Sequence, residues 1–282
     1  MRVRAAVLPL LLLVTACGGA EQAAAPVPEP VSAEVTSALE SGVSSYRAYV
    51  LEQAAATRTA TRAFTDAVRA GDVAAAREAY APSRVGWERI EPIAGLVEEL
   101  DGRLDARVDD FAGVEDPEFT GWHRLEHLVF ERGTAEGGAP FADQLDADLV
   151  TLEQELAEVE ITALDLARGA GELVEEVTRG KITGEEDRYS HTDLWDVDAN
   201  IDGSASAVER LRPALSAQDP ALLAEVEQGL DAVVQGLAPY ELPGGGFRSY
   251  EELSEQDRTR LGAELASLSE SMSQVPGTLG LE

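Results

Sequence analysis

Apolar residues recur three and four positions apart along most of this chain. The spacing is clear near the start and again late in the sequence, at Leu39, Val43, Tyr46 and Val50, and at Leu222, Val226, Leu230, Val233 and Leu237. Residues so spaced share one face of an α-helix, whereas the alternation typical of half-buried strands is hard to find. Aromatic residues make up only 5% of the chain, so a core of aromatic-rich strands is not favoured either. The pattern predicts an all-α fold of helices packed by one face.

Capping and helix-breaking residues divide this pattern into about eight helices. Gly71 and Asp72 are typical of a helix end followed by a new N-cap. The predicted helices cover 32–70, 72–100 with a kink or break near Pro82, 120–131, 141–159, 162–180, 184–215, 219–238 and 249–273. Antiparallel helices of this number form one large bundle or two four-helix bundles.

The first residues are typical of an export signal. Arg2 and Arg4 precede a short apolar run that ends in Val-Thr-Ala-Cys, which resembles the bacterial lipobox. The alternative, a buried amphipathic helix, would require these features to coincide by chance. We therefore expect a signal peptide at 1–16, and lipid-modified Cys17 with a flexible tether at 17–32 before a helical domain at 33–282. The expected location is the outer face of the cytoplasmic membrane, anchored through Cys17.

Charge and cysteine count exclude several classes of function. The formal net charge is −31, which repels nucleic acid and anionic lipid head groups. Cys17 is the only cysteine, so neither an intramolecular disulfide nor a CxxC motif is possible. The acidity itself is explained either by solubility and salt adaptation or by attraction of cations, and only particular carboxylates can distinguish these.

Three segments combine acidic residues with tryptophan, and two of them contain all three histidines. The first, Trp87 to Pro92, contains Glu88 and Glu91, whose spacing places both on one side of a helix. In a chain this acidic such a pair is also typical of a solvated helix face. Pro92, directly after the pair, indicates a special local geometry.

The second segment runs from Gly121 to His127. His123 and Glu126 are three apart, and His127 lies one further turn along, so both histidines could face one ion. A surface ion pair is the simpler interpretation of His-x-x-Glu. The zincin motif is absent, because Arg124 stands where that motif needs its glutamate.

The third segment runs from Gly184 to Asp196 and is expected to open a helix. Acids at a helix start are favoured by the helix dipole without any ligand. His191 and Asp193 also lie here and are equally interpretable as hydrogen-bonding partners in the core. Taken together, the three segments predict one site assembled inside the bundle.

The stretches ERIEP (88–92), GWHRLEH (121–127) and KITGEEDRYSHTDLWDVDANIDGS (181–204) resemble the imelysin-like family. Within it, they are most similar to the lipoprotein components of Efe-type bacterial iron-uptake systems. The resemblance implies two antiparallel four-helix bundles with a metal site between helices. The implied ligands are Glu88, Glu91, Asp105 and one acid of the GEED stretch, for which Glu186 is preferred and Glu185 and Asp187 are alternatives. His123 and Glu126 are implied either as ligands or as neighbours of ligands. His191 and Asp193 are weaker candidates.

The resemblance also implies a function. The chain would capture Fe²⁺ or Fe³⁺ and deliver it to an iron permease and a haem-dependent peroxidase-like partner. Carboxylate oxygens with one or two imidazoles suit iron, manganese or calcium, so other divalent cations are possible. We expect no enzymatic activity, although the family is also labelled metallopeptidase. A polymer- or carbohydrate-binding lipoprotein, with Trp87, Trp122 and Trp195 as stacking platforms, is the other alternative.

Overall fold

A computed structural model describes residues 32–281, and in this range the chain is helical with no β-sheet. The predicted signal peptide, Cys17 and nearly all of the tether lie outside the described residues. Ten α-helices are present in the described part: α1 Ala33–Ala70, α2 Val73–Glu88, α3 Glu98–Leu104, α4 Gly121–Glu126, α5 Ala139–Glu158, α6 Ala163–Arg179, α7 Asp193–Gln218, α8 Pro220–Leu237, α9 Glu255–Met272 and α10 Val275–Thr278.

The first helices begin and end where their capping residues predict. Ser32 caps α1, its hydroxyl accepting a hydrogen bond from the Val35 amide at 3.3 Å. Gly71 ends α1 with φ 74°, a conformation open mainly to glycine. The carboxylate of Asp72 then accepts from the Ala75 amide at 3.0 Å and starts α2.

No break occurs near Pro82, because α2 continues through it to Glu88; the alternative expectation, a kink at this position, stays a prediction. Side chains add hydrogen bonds to the backbone of this turn: the Ser83 hydroxyl donates to the Tyr80 carbonyl at 2.6 Å, and Thr61 on α1 donates to the Ser83 carbonyl at 3.1 Å. The chain departs from the helix later, in a 3₁₀ segment, Glu91–Val97, that carries Pro92 in its first turn. The helix expected over 72–100 is therefore α2, this 3₁₀ segment and α3.

The helix predicted to begin at residue 184 begins at Asp193 instead. Gly184 has φ 82° and His191 has φ 58°, and neither conformation fits a right-handed helix. The segment 184–192 is an ordered loop. The last long helix likewise starts at Glu255 behind the N-cap Ser254, and residues Tyr250–Glu252 form a separate 3₁₀ turn.

The helices pack in two groups that share α7. Helix α1 lies against α2, α5 and α7, while α9 packs on both α6 and α8, and α6 and α8 also contact α7. One contiguous apolar core runs through both groups. The all-α prediction is confirmed. No helix within residues 32–281 is long and apolar enough to cross a membrane.

Two glycines hold the turn after α2 between α6 and α7. A Cβ atom at Gly169 of α6 would lie 1.7 Å from the carbonyl oxygen of Pro92, and one at Gly203 of α7 would lie 2.3 Å from that of Arg89. Both neighbours are backbone atoms, so only glycine permits this close packing. The contact fixes Glu88 and Glu91 at the junction of the two helix groups.

Candidate metal-binding site

The centre of the molecule holds an unusual amount of buried charge. Among the described residues, the buried carboxylates are Glu88, Asp105, Glu126, Glu186, Asp187, Asp193 and Asp196, whereas the only buried side chains with a permanent positive charge are Arg84 and Lys181. Burying an ionised group without a partner costs several kcal/mol, so this excess of acid requires protons or further cations nearby.

Arg84 lies at the middle of this acidic cluster and is fully buried. It projects from α2 and forms ion pairs with Glu88, one turn along the same helix, and with Asp105. Its guanidinium also lies 3.4 Å from Asp196 and 3.5 Å from Glu186. A single arginine thus joins carboxylates from four separate parts of the chain.

Lys181 lies between Glu88 and Glu91 and forms an ion pair with each. It is the only lysine in the sequence, and its Nζ atom lies 2.7 Å from Oε2 of Glu88 and 2.7 Å from Oε2 of Glu91. The Asn200 side-chain amide donates to the same two carboxylates, at 2.9 and 2.7 Å. The two glutamates converge as expected, but not on one helix face, because Glu91 already belongs to the 3₁₀ segment.

His123 has one ring nitrogen engaged and one without a hydrogen bond. Its Nδ1 atom lies 3.0 Å from Oε2 of Glu126 and 3.3 Å from the Tyr80 hydroxyl. Its Nε2 atom lies 3.4 Å from Asp105 and 3.7 Å from Glu186 and makes no hydrogen bond. The ring is 2% exposed, so solvent at the protein surface does not satisfy this nitrogen.

The donor atoms fall into two groups that share His123. One comprises Asp105, His123 and Glu186, the other His123, Glu126 and Asp187, and within each group one donor atom per residue lies within 4.8 Å of the others. Of the three acids of GEED, Glu186 and Asp187 are buried and each joins one group, whereas Glu185 is exposed. Three donors of this type match the protein contribution to a metal site.

The loop 184–192 is held in place by Glu126. Oε1 of Glu126 accepts hydrogen bonds from the amides of Tyr189 and Ser190, at 2.9 and 2.8 Å, and from the Ser190 hydroxyl. Oε2 of the same carboxylate faces His123. This one side chain therefore links the His-x-x-Glu helix to the loop that carries Glu186 and Asp187.

Nearby positive charges keep the two carboxylates of the first donor group, Asp105 and Glu186, ionised. Burial acts to raise the pKa of Asp105, but the charges of Arg84 and His123 hold that pKa well below its ordinary value. Burial is likewise outweighed at Glu186, where Lys181 and His123 lower the pKa to about 2. Burial and the charge of Arg84 act to lower the pKa of His123, but the carboxylates of Asp105, Glu126 and Glu186 outweigh them and raise it well above its ordinary value.

Asp187, Asp193 and Asp196 take up protons more readily than Asp105 and Glu186 do. Burial and the charge on Asp187 raise the pKa of Asp193 to about 7. Burial raises the pKa of Asp196 well above its ordinary value and that of Asp187 in the same direction, in both cases against the charge of Arg84. Part of the excess negative charge is thus removed by protonation.

Several candidates from the sequence lie away from these donor groups. His191 has a side chain 38% exposed, and its nearest carboxylate is Glu251 at 3.9 Å. His127 packs edge-on against Tyr189 instead of facing the ion-binding groups, so the two histidines do not share one site. Asp193 is buried and accepts a hydrogen bond from the Asp187 amide at 3.2 Å.

The tryptophans pack inside the protein. Trp87 and Trp122 are 1% and 0% exposed, and the Trp87 indole donates to Asp105 at 2.9 Å. Trp195 packs against Phe247. Trp87 and Trp122 are therefore not available as stacking platforms for a polymer.

A cleft of about 560 Å³ leads from the surface to the edge of the cluster. It reaches Glu91, Asp105 and Glu186, and its walls carry further acids: Asp101, Asp110, Asp165, Glu172 and Glu176. Burial and the charge of Asp105 raise the pKa of Asp101 to about 7. The cleft provides a negatively charged path along which a cation would be attracted inwards.

Sequence reasoning missed the groups that balance the acids. Arg84 lies one helical turn before Glu88, and Lys181 is the only lysine in the chain; either fact could have marked them. Tyr80, whose hydroxyl donates to Asp187 at 2.7 Å, and Asn200 carry no such signal in the sequence.

Comparison with known proteins agrees with this architecture. The sequence profile of the imelysin family, also designated peptidase M75, matches residues 42–275. Curated relatives from Escherichia coli K12 and Shigella flexneri, each named iron uptake system component EfeO, are 44% identical over 245 residues. The aligned part is 86% of this chain and 65% of each relative, so the chain matches less than two thirds of their length. This chain belongs to the imelysin family.

Proposed function

We propose that the chain is an iron-binding component of an iron-uptake system. The observation that carries this proposal is the Nε2 atom of His123, which is buried, lacks a hydrogen bond and faces Asp105 and Glu186. In the metal-free protein a proton on this imidazole balances the two carboxylates, and a bound cation would replace that proton and join the three donors. The relatives named as iron-uptake components support iron as that cation.

The chemistry of the donors supports the same choice. Carboxylate oxygens with one imidazole suit hard or intermediate cations such as iron and manganese better than Cu⁺, which prefers sulfur ligands. In this proposal the ion is cargo. Asp105, His123 and Glu186 hold it, and the second group, with Glu126 and Asp187, lies on the other edge of the same imidazole.

Glu88 and Glu91 have a separate part in the proposal. Their carboxylates are engaged by Lys181 and Asn200, so we place them around the ion as supporting acids. They would become ligands only if an ion displaced the Lys181 ammonium. The variants described below separate these two roles.

The cellular part of the proposal comes from the sequence and the relatives' names. Lipid attachment at Cys17 would hold the protein at the outer face of the cytoplasmic membrane. There it would deliver iron to a permease, with a haem-dependent peroxidase-like protein as the further partner. No nucleic-acid partner is proposed, because of the strongly negative charge.

Peptide hydrolysis is the alternative suggested by the family's second designation. No feature of the described residues specifically favours it. His123 is 2% exposed, and the cleft is bordered by Asp105 and Glu186 instead of the imidazole, so a peptide bond has no evident approach to the histidine. We therefore propose capture and delivery without hydrolysis.

Calorimetry on the full, metal-free chain tests the proposal. Fe(II) under anaerobic conditions, chelated Fe(III), Zn(II) and Ca(II) are titrated into wild type, His123→Asn and Asp105→Asn. We expect iron to bind more tightly than calcium, and each variant to lose more than about tenfold in iron affinity. His191→Asn is the matched control, because it removes a half-exposed imidazole and should bind as wild type does.

Three results would count against the proposal. Iron binding no tighter than calcium binding would exclude an iron site. Unchanged affinity in His123→Asn would exclude the donor groups. Zinc-dependent peptide cleavage that His123→Asn abolishes would favour the peptidase instead. A Glu88→Gln, Glu91→Gln double variant then tells whether these acids are ligands, since a supporting role predicts the smaller loss.

A further inference from the structure

Arg107 differs from the other cations of the cluster in reaching solvent. Its Nη1 atom lies 2.9 Å from Oε2 of Glu186, whose side chain is only 5% exposed. The Arg107 side chain itself is 35% exposed. Arg84 and Lys181, by contrast, have side chains 0% and 1% exposed. Only Arg107 can leave its carboxylate without carrying a charge through the protein interior.

Arg107 also stands where the open spaces around the donor groups meet. It lines the large cleft, a groove of about 320 Å³ beside Lys181, and a small cavity bordered by His123 and Glu126. It occupies Oε2 of Glu186, while Oε1 of the same carboxylate faces His123 at 3.7 Å. The guanidinium thus lies between the solvent-filled cleft and the first donor group.

We propose that Arg107 is a resident counter-cation that an incoming metal ion displaces from Glu186. The inference rests on the proposed function, since it assumes that the ion binds with Asp105, His123 and Glu186. With no ion, Arg107 pairs with Oε2 of Glu186, while the enclosed Arg84, His123 and Lys181 lie 3.5, 3.7 and 3.9 Å from Oε1. When an ion binds, the guanidinium leaves, and when the ion departs it returns.

Repulsion between like charges provides the driving force. A di- or trivalent ion at the donor group would share the Glu186 carboxylate with the Arg107 guanidinium. Arg84 cannot move away, because it is fully enclosed and paired with Glu88 and Asp105. Arg107 can move into the cleft, where water reduces the repulsion.

The cleft offers the displaced side chain other carboxylates. Asp110, Glu172 and Glu176 line the same space as Arg107, and Asp110 already accepts a hydrogen bond from the Arg107 backbone amide at 3.0 Å. The guanidinium therefore exchanges one carboxylate for another at small cost. This exchange keeps the ion's net affinity below what the acids alone would give, which suits a protein that must release its cargo.

The matched control is Arg188. Its side chain is 39% exposed and is paired with Asp109, and it borders the same small cavity without bonding a donor residue. Arg107→Gln and Arg188→Gln each remove one positive charge from this face, so effects of overall charge appear equally in both. Arg107→Lys keeps the charge and tests whether charge, and not side-chain shape, is responsible.

The experiment measures affinity and release on the full chain. Anaerobic Fe(II) and Mn(II) are titrated by calorimetry, and release into excess chelator is followed by stopped flow. We expect Arg107→Gln to bind about tenfold more tightly and to release the ion correspondingly more slowly, corresponding to about 1.4 kcal/mol. Arg188→Gln and Arg107→Lys should remain within about twofold of wild type.

The outcomes separate this inference from the proposed function. If wild type binds iron and Arg107→Gln binds no more tightly than Arg188→Gln, Arg107 is not displaced by the ion, while the iron site stands. Weaker binding in Arg107→Gln would overturn the inference in the same way, since it would make Arg107 a supporting group. If no protein binds either ion, the proposed function and the inference fail together.

Discussion

Lys181 Nζ lies 2.7 Å from Oε2 of Glu91, in a contact that joins the 3₁₀ turn after α6 to the turn after α2. The lysine is 1% exposed; burial acts to lower its pKa, but the charges of Glu88 and Glu91 outweigh burial and raise that pKa well above its ordinary value. Lys181 and Glu91 therefore form an ion pair that links two distant parts of the chain. Its free-energy contribution depends on both charges being present.

Lys181→Met tests the contribution of this ion pair to stability. The variant keeps most of the apolar stem but leaves Glu88 and Glu91 without their cation, so we expect the free energy of unfolding to fall by about 3–5 kcal/mol at neutral pH. Urea denaturation in the presence of chelator measures the loss. Added Mn(II) should restore more stability to the variant than to wild type, because a cation can replace the missing charge.

The control for this variant is Arg179→Met. Arg179 pairs with Glu175 on the surface of α6, with a side chain 77% exposed. Exposed pairs contribute at most about 1 kcal/mol, so this variant should unfold close to wild type. A Lys181→Met protein equally close to wild type would show that the buried ammonium is not needed.

Trp87 provides a second prediction, since its indole donates to Asp105 at 2.9 Å. Trp87→Phe keeps an aromatic ring in the core and removes this hydrogen bond, which helps to orient the carboxylate. We expect iron affinity to fall by about 10- to 100-fold, as for other groups that orient a metal ligand. Calorimetry on Trp87→Phe measures this change.

Tryptophan fluorescence supplies an independent measurement and a control. Iron bound near Asp105 should quench Trp87, so the quenching seen in wild type should shrink in Trp87→Phe. Trp195→Phe alters an indole that packs against Phe247 and should keep both affinity and quenching. Equal losses in the two variants would place the ion elsewhere.

Capping residues and apolar spacing predicted most helices, because the start, the end and the buried face of a helix depend on residues close to one another in the sequence. Gly71, Asp72 and the apolar spacing of α1 act within one or two turns, and the structure agrees with them. No break occurs at Pro82 because α2 packs along α1, a contact that includes the hydrogen bond from Thr61 to the Ser83 carbonyl. The start of α7 was misplaced because the positive φ of His191 depends on tertiary contacts that no sequence window contains.

The candidate site was only partly predictable for a related reason. His123 and Glu126 share a helix, so their spacing revealed them, and the resemblance to the imelysin-like family supplied Asp105 and Glu186. Pairing of acids with cations is non-local: Lys181 meets Glu88 across 93 positions. Sequence spacing could therefore suggest acidic donors, but not which of them already have partners.

Asp193 gives the metal-free protein a defined pH dependence. Its pKa of about 7 in the folded chain, against an ordinary value of 3.8, means that the native state holds this proton more tightly than the unfolded state. The resulting stability is complete below about pH 4 and is lost as the pH rises through 7. Asp193→Asn should remove this loss, on the order of 4 kcal/mol for a pKa raised from 3.8 to about 7.

Urea denaturation with chelator at pH 5 and pH 8 measures this effect. The free energy of unfolding of the variant, relative to that of wild type, should increase with pH. Asparagine cannot ionise but still offers an oxygen to the Asp187 amide. Asp66→Asn removes an equal charge from a side chain 71% exposed and is the matched control. Parallel pH profiles for Asp193→Asn and wild type would contradict the assignment.

Gly169 tests whether close backbone packing positions the acids at the turn after α2. A Cβ at Gly169 would lie 1.7 Å from the Pro92 carbonyl oxygen, so Gly169→Ala must push that turn away from α6. We expect a loss of about 1–3 kcal/mol in unfolding free energy, since overpacking against backbone is not easily relieved. Iron affinity should also fall, because Glu91 precedes the displaced proline.

The control for this variant is Gly262→Ala in α9. A Cβ there meets no atom within 4 Å, so this alanine should instead stabilise the protein by about 0.5–1 kcal/mol through helix propensity. If both alanines stabilise the chain alike, the turn does not pack against α6 as closely as described.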